Sequence, residues 1–484
     1  MSGSNEKTNT PGIKRIDIVL GLICAIFFID TVSPVAQMGP AAITWMIIMA
    51  VLFFFPGSLT VAELGSAYPE NGGFYAWIKR AYGKAWGARI TWMYWSCNAI
   101  WISSVATFTS TVFCQLFIPN VSMVVQSIMN LALIWLMVFV ASRPLKNSTF
   151  FINASAVIKL GMAAGLVVAA FSVLSKNGFV PANSISWADF KPTYGQTLYF
   201  LPALIYNFLG FESMSAATAE MKNPAKDVPK SALNNVLIVT VLYIVAVLAM
   251  LTIQPVENIS IVKGVMDAFM IGLGSSPIMK FVVYTIGLLF VLVLFTQGML
   301  WILTVCRVSA ETALHYELPM AFAKMHPKNN TPIGSLILAG IVATVVNVIY
   351  GFMSSSAEEM FWTIFSCTSI ILLLPYLINF EAFLKLRKED TTTKRPYTFP
   401  GPKGLVSFFI RIAQIIILLC ILFFVWVPGE PFNMKLGLSV IIGVIVTLGA
   451  GEIITRTSMA RAPGNKKAAE KLGGVENIGA TETL

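Results

Sequence analysis

Histidine is almost missing from this 484-residue chain: only His315 and His326 occur, both in one polar loop. That leaves little for a metalloenzyme or an intramembrane hydrolase to work with. The six cysteines, Cys24, Cys97, Cys114, Cys306, Cys367 and Cys420, lie singly inside apolar runs. Without the paired spacing of a zinc site or a disulfide framework, they read as small core residues. No GxxxxGK[ST] loop is present, which argues against a pump that hydrolyses ATP on this chain. Charge is scarce at 12%, and the polar tracts at the two ends, about a dozen and roughly thirty residues, are too short to build a core of their own.

What is abundant is apolar sequence, with 56% hydrophobic residues and a mean hydropathy of +0.76. No water-soluble domain of this length carries such a composition on its surface, so the chain is an integral membrane protein. Apolar runs near or above the roughly 20 residues needed to cross a bilayer recur twelve times. They cover about Ile16–Gln37, Ala41–Ser66, Trp86–Thr111, Ser122–Ala141, Asn153–Leu174, Gly195–Thr218, Leu233–Ile253, Ile278–Val305, Ile333–Gly351, Glu359–Phe380, Leu405–Val427 and Met434–Ile454. The net charge of +10 lies in the loops between these runs, not on one basic face, which points to membrane topology and away from nucleic acid. With both ends in the cytoplasm, 26 of the 33 Lys and Arg fall inside and five outside, leaving Lys159 and Arg411 within spans. The positive-inside rule therefore supports twelve spans with cytoplasmic termini.

Two spans carry interruptions. The first contains Asp30-Thr31-Val32-Ser33-Pro34, and the sixth loosens around Asn207, Gly210 and Glu212. Unwound backbone and a carboxyl group are costly in hydrocarbon unless they line a cavity. The two breaks are five spans apart, which predicts a five-helix unit repeated in inverted orientation, with a binding site between the broken helices at the midplane. At 1.5 Å per residue, Asp30 lies roughly 21 Å into the bilayer core, and Tyr206 at comparable depth from the other side. Asp30 itself reads in two ways: as a carboxylate that attracts amines and repels an α-carboxylate, or as the N-cap of a restarting half-helix.

Val61-Ala62-Glu63-Leu64-Gly65-Ser66-Ala67-Tyr68-Pro69-Glu70-Asn71-Gly72-Gly73, followed by Tyr75, Trp77, Lys79 and Arg80, resembles the second-span and first-loop signature of the amino acid, polyamine and organocation (APC) transporter superfamily. Gly210-Phe211-Glu212, with the trailing Lys222-Asn223-Pro224 and Asp227-Val228-Pro229, is similar to its sixth-span signature. In kind, the chain resembles bacterial glutamate/γ-aminobutyrate and arginine/agmatine antiporters. The resemblance runs from about Lys14 to Ile454. It implies an all-α membrane protein of 12 transmembrane helices in a 5+5 inverted repeat (LeuT-like), with helices 1 and 6 broken and two helices peripheral. On this plan residues 1–11 are a cytoplasmic tail and 12–383 the ten-helix transport core. A cytoplasmic loop occupies 384–403, the peripheral helices 404–455, and a second cytoplasmic tail 456–484. Tyr68, Pro69, Gly72 and Gly73 would shape a reentrant loop, and Arg307–His326 reads as an amphipathic helix on the cytoplasmic surface, with both histidines solvated.

The function implied is secondary active transport of amino acids or related amines across the plasma membrane, by exchange or proton coupling. A decarboxylated-amine antiporter of the agmatine or putrescine type is the alternative, and a non-transporting receptor is the rival from another class. This chain departs from the family's glycine-rich first break by placing Asp30 there, which favours cationic substrates. Asp30, Thr31, Ser33, Tyr206, Asn207, Gly210 and Trp301 are the candidate substrate-binding residues, and Glu212 and Lys159 the candidates for coupling and gating. Lys159 resembles the lysine that replaces sodium in some relatives, yet it lies close enough to the cytoplasmic end to snorkel. Tyr206 and Trp301 could face a cation or only pack. The reading calls for no metal or cofactor, and names a small solute, protons and lipid as partners of a monomer or homodimer, with no nucleic acid.

Overall fold

In a computed structural model, residues 20–21, 23–24, 26–69, 73–143, 148–183, 186–192, 194–212, 224–274 and 276–471 are described. The N-terminal tail, Glu70–Gly72, the stretch through Glu220, Lys222 and Asn223, and residues 472–484 lie outside them. The described residues form helices: α1 Val32–Ala36, α2 Ala41–Ala67, α3 Phe74–Tyr82, α4 Lys84–Phe117, α5 Met123–Ala141, α6 Ser148–Lys176 and α7 Leu201–Tyr206. They continue as α8 Pro224–Ile253, α9 Gly264–Leu273, α10 Pro277–Leu314, α11 Ile333–Met353, α12 Ala357–Glu389, α13 Lys403–Phe423 and α14 Met434–Lys471. Among the described residues, ten helices are long and apolar enough to cross a membrane. Each overlaps one of the uninterrupted runs read from sequence, because a long apolar stretch can satisfy its backbone in lipid only as a helix.

Burial sorts these helices. In α4 and α12 the apolar windows are 83% and 78% buried, against 22% in α14. The first two form the centre, where α4 packs on both α10 and α12. The outward side chains of α14, such as Ile442, Ile445, Val446 and Ile453, are apolar and exposed, as a lipid-facing surface requires.

One feature differs from the sequence reading. Arg307–His326 does not form a surface helix: α10 runs on to Leu314, followed by a single 3-10 turn at Met320–Ala323. Ser309 and Thr312 hydroxyls bond the carbonyls of Cys306 and Val308, and the Ser309 hydroxyl also bonds that of Ser335 on α11. These bonds carry the helix past the end of its apolar run. His315 ends α10 exposed, whereas the Nδ1 atom of His326 accepts the backbone N–H groups of Lys328 and Asn329 in a turn. The loop between α8 and α10 also holds a ten-residue helix, α9. Val265, Met266 and Phe269 bury it against α6.

One face of the molecule is tied by charge. Glu63, fully buried near the end of α2, accepts from the Arg395 guanidinium at 3.0 Å and the Phe399 N–H at 2.7 Å, with Arg387 at 3.5 Å. Glu317, after α10, pairs with Lys79 of α3 at 2.7 Å and accepts from the Tyr75 hydroxyl at 2.9 Å. Burial, with Glu317 beside it, pushes the Tyr75 phenol up to about 12. Tyr68 donates to Asp390 at 2.8 Å. The Thr393 hydroxyl and backbone N–H, together with Tyr68, hold the Asp390 carboxyl well below the usual carboxylate range. A depressed carboxyl stabilises the fold above its unfolded value near 3.8 and loses that contribution only as pH falls through the lower folded value. The segment after α12 should therefore resist pepsin as well at pH 4 as pH 7 proteolysis shows it resisting a neutral protease. In Asp390→Asn it should be cut faster at both pH values.

Candidate functional site

The first interruption lies slightly upstream of the Asp30–Pro34 stretch. Helical turns reach residue 26, Phe27 and Phe28 leave the helical path, Ile29–Thr31 form one 3-10 turn, and α1 restarts at Val32. Pro34 falls in the first turn of α1, where its missing N–H costs nothing. The break exposes backbone groups, and one side chain meets two of them: the Tyr243 hydroxyl of α8 accepts from the Phe28 N–H at 2.7 Å and donates to the Ile26 carbonyl at 3.0 Å. Asp30 does not cap the restart, since neither short helix has a side-chain cap hydrogen bond.

The second interruption follows α7, with residues 207–212 off the helical path. Gly210 sits at φ +98°, a conformation that only glycine adopts without strain. Here too a tyrosine from another helix meets the open backbone. The Tyr376 hydroxyl of α12 accepts from the Gly210 N–H at 2.8 Å and donates to Glu212 Oε2 at 2.5 Å, while Tyr94 of α4 donates to Glu212 Oε1 at 3.1 Å. The two breaks touch directly, because Thr31 Oγ1 bonds Asn207 Oδ1 at 2.5 Å as well as the Phe28 carbonyl at 2.7 Å.

Beside this junction lies a cavity of ≈ 30 Å³, room for a water or two. Its walls are aromatic, with Phe28, Trp101, Tyr206 and Trp301, and its polar end holds Asn98, Gly210, Glu212 and Tyr376. Phe28 and Tyr206 stand with ring centroids 5.5 Å apart, and Tyr206 in turn meets Phe365 edge-on at 4.7 Å. Of the residues singled out from sequence, Tyr206, Gly210, Glu212 and Trp301 line this space. Thr31 and Asn207 join its two halves. Ser33 lies apart, its hydroxyl packed at the start of α9, where a Cβ on Gly264 would come within 2.9 Å of it.

Asp30 is 6% exposed, and its Oδ1 atom has no hydrogen-bond partner among the described residues. The Lys159 charge and the Gln297 amide face it. Lys159 does not snorkel. Helix α6 begins at Ser148, which places Lys159 roughly 16 Å along it, and the side chain is fully buried. Its Nζ donates to the Cys24 carbonyl at 2.8 Å and lies 5.3 Å from the Phe28 ring centroid. Residues not singled out from sequence also belong here: Phe28, Tyr94, Trp101, Tyr243, Gln297 and Tyr376. For Tyr243, Gln297 and Tyr376 a readable signal existed, since each puts a polar tip deep within an apolar span, away from the interfacial belt where such side chains collect.

Comparison with known proteins bears on what this site serves. The chain is 29% identical over 444 residues to a probable agmatine/putrescine antiporter of Lactococcus lactis, covering 91% of this chain and 94% of that one. It is 25% identical over 418 residues to the methylthioribose transporter of Bacillus subtilis, covering 82% and 86%. Among solved structures, a variant of the Eremococcus coleocola manganese transporter aligns with a TM-score of 0.53 over 91% of this chain and 94% of that one, at 12% identity. That likeness shows the fold alone. Residues 16–450 match the amino acid permease family, and with the two touching helix breaks and the aromatic cavity between them, the chain belongs to that family as a multi-pass secondary transporter of the APC superfamily.

Proposed function

We propose that this transporter exchanges small organic amines, in preference to amino acids, across a bacterial plasma membrane. The observation that carries the reading is Asp30. A buried carboxylate with a free oxygen at the first break repels a substrate carboxylate and attracts an ammonium group. The similarity to an agmatine/putrescine antiporter supports the same choice. Ten helices in two inverted repeats of five, with α13 and α14 peripheral and both termini in the cytoplasm, give the layout. The face bearing Glu63, Lys79, Glu317 and Arg395 is then the cytoplasmic one, in keeping with its basic loops. A cavity with room for a water or two must widen to admit an amine, so α1 and α7 part from α4 and α12 as access alternates between the two sides.

In this scheme Thr31, Asn207, Gly210, Tyr206 and Trp301 bound the substrate, Glu212 gates or carries a proton, and Lys159 anchors the first break. Purified protein in proteoliposomes loaded with putrescine should take up labelled agmatine or putrescine by counterflow, and arginine or glutamate far less. Binding without counterflow would instead mark a receptor, and product formation in detergent an enzyme. Glu212→Gln keeps the size of the side chain but has no proton that titrates between pH 5 and pH 8. Exchange by this variant should lose the pH dependence seen in the parent, measured as initial counterflow rate between pH 5 and pH 8. An unchanged profile would remove Glu212 from proton coupling.

A further inference from the structure

The first break holds more unpaired polar atoms than a structural role explains. Besides Asp30 Oδ1, both amide atoms of Gln297 and the Nδ2 atom of Asn207 are buried without a hydrogen-bond partner among the described residues. Gln297 is 2% exposed, and Asn207 1%. Buried polar groups in folded proteins are nearly always satisfied, so such a cluster marks a place where something else supplies the missing partners. Gln297 lies one helical turn before Trp301 on α10, the same helix face that walls the cavity. Two of these four atoms, Asp30 Oδ1 and Gln297 Oε1, are acceptors, and an ammonium group suits those two because it brings three donors and no acceptor.

The Phe28–Tyr206 ring pair lines the cavity that ends at Glu212, and Phe28 lies two residues before Asp30 in the first break. Methylene groups and a cation both pack well on such rings.

We propose that Asp30 and Gln297 form a seat for one ammonium group of a dicationic substrate, an α,ω-diamine whose second amine lies at Glu212 and whose methylene chain passes the Phe28–Tyr206 pair. Lys159 leaves the seat open: its Nζ donates to the Cys24 carbonyl and forms no ion pair with Asp30 among the described residues. The proposal rests on the amine-exchange reading and goes beyond it in requiring two charged ends. Gln297 is a specificity-determining residue on this account.

The test compares putrescine with 1-butylamine, which has the same chain and one amine, as inhibitors of labelled putrescine counterflow in wild type, Gln297→Met and Asp30→Asn. Wild type should prefer putrescine by about 30-fold or more, the range for leaving one buried charge partner unmet. Both variants should bring that ratio close to one, with the loss falling on putrescine. Gln297→Met keeps the volume of the side chain and carries the test where Asp30→Asn fails to fold, and thermal unfolding in detergent establishes which variants are folded. A wild-type ratio near one, or a preference that survives Gln297→Met, overturns the two-headed seat while leaving amine exchange standing. Absence of counterflow with every amine overturns the exchange reading itself.

Discussion

Replacing Glu63 with alanine is expected to destabilise the protein by about 3–5 kcal/mol, the cost of leaving a buried charge without its partner. Among the described residues, Glu63 is the only group that joins the end of α2 to Arg395, to Arg387 and to the Phe399 N–H at once. Its side chain is fully buried, and those of Arg395 and Arg387 are 12% and 20% exposed, so water recovers little of what is lost. Arg395 would keep the Leu386 and Asp390 carbonyls as acceptors but no ion-pair partner among the described residues. Arg395→Ala strands Glu63 in turn, so the two substitutions should not add. The double variant should be less damaged than the sum of the singles, by about 0.5–3 kcal/mol for groups in one network. Thermal unfolding in detergent of both singles and the double measures this. Additive losses would mean the pair stabilises nothing of its own. A pair nearer the surface gives a useful contrast: Lys385 and Glu389, 3.9 Å apart with side chains 34% and 62% exposed, should contribute less than about 1 kcal/mol.

The same network shows what could be read in advance. Glu63, Tyr68 and Lys79 were marked by the resemblance, but their partners come from the segments after α10 and α12, hundreds of residues away, and nothing local announces the pairing. The spans were legible for a simpler reason. A run of some twenty apolar residues has few fates other than a membrane helix, so the uninterrupted runs reappear as α2, α4, α5, α6, α8 and α10–α14. Their ends were less legible, because hydropathy marks the hydrocarbon and not the helix: α10 continues nine residues past Val305 on hydroxyl bonds. Asp30 and Pro34 located the first break to within one turn, but a proline is tolerated in a first turn and so marks a helix start as readily as a helix end. Glu212 was conspicuous as an acid in an apolar span. Tyr94, which with Tyr376 completes its setting, was hidden by the many aromatic residues that only pack. What both tyrosines bond depends on the path of the broken backbone, which is a tertiary fact.

Lys159→Met should be the other severe substitution, and its cause can be separated from simple loss of packing. The lysine is fully buried, donates to the Cys24 carbonyl and supplies the positive charge that faces Asp30. Methionine fills a similar volume and restores neither interaction. The single variant should lose about 3–5 kcal/mol, since Asp30 is then a buried anion without a cation. Asp30→Asn on that background removes the stranded charge, so the double variant should recover part of the loss, with a coupling of about 0.5–3 kcal/mol. Recovery should be incomplete, because the Cys24 carbonyl stays without its donor in both variants. Transport separates the roles further: the double variant, folded but lacking the carboxylate at the first break, should unfold near the wild-type temperature more closely than Lys159→Met does, yet show no preference for diamines in counterflow. If Asp30→Asn fails to rescue Lys159→Met, the two charges do not stabilise one another, and the anchoring of the first helix break rests on the Cys24 carbonyl alone.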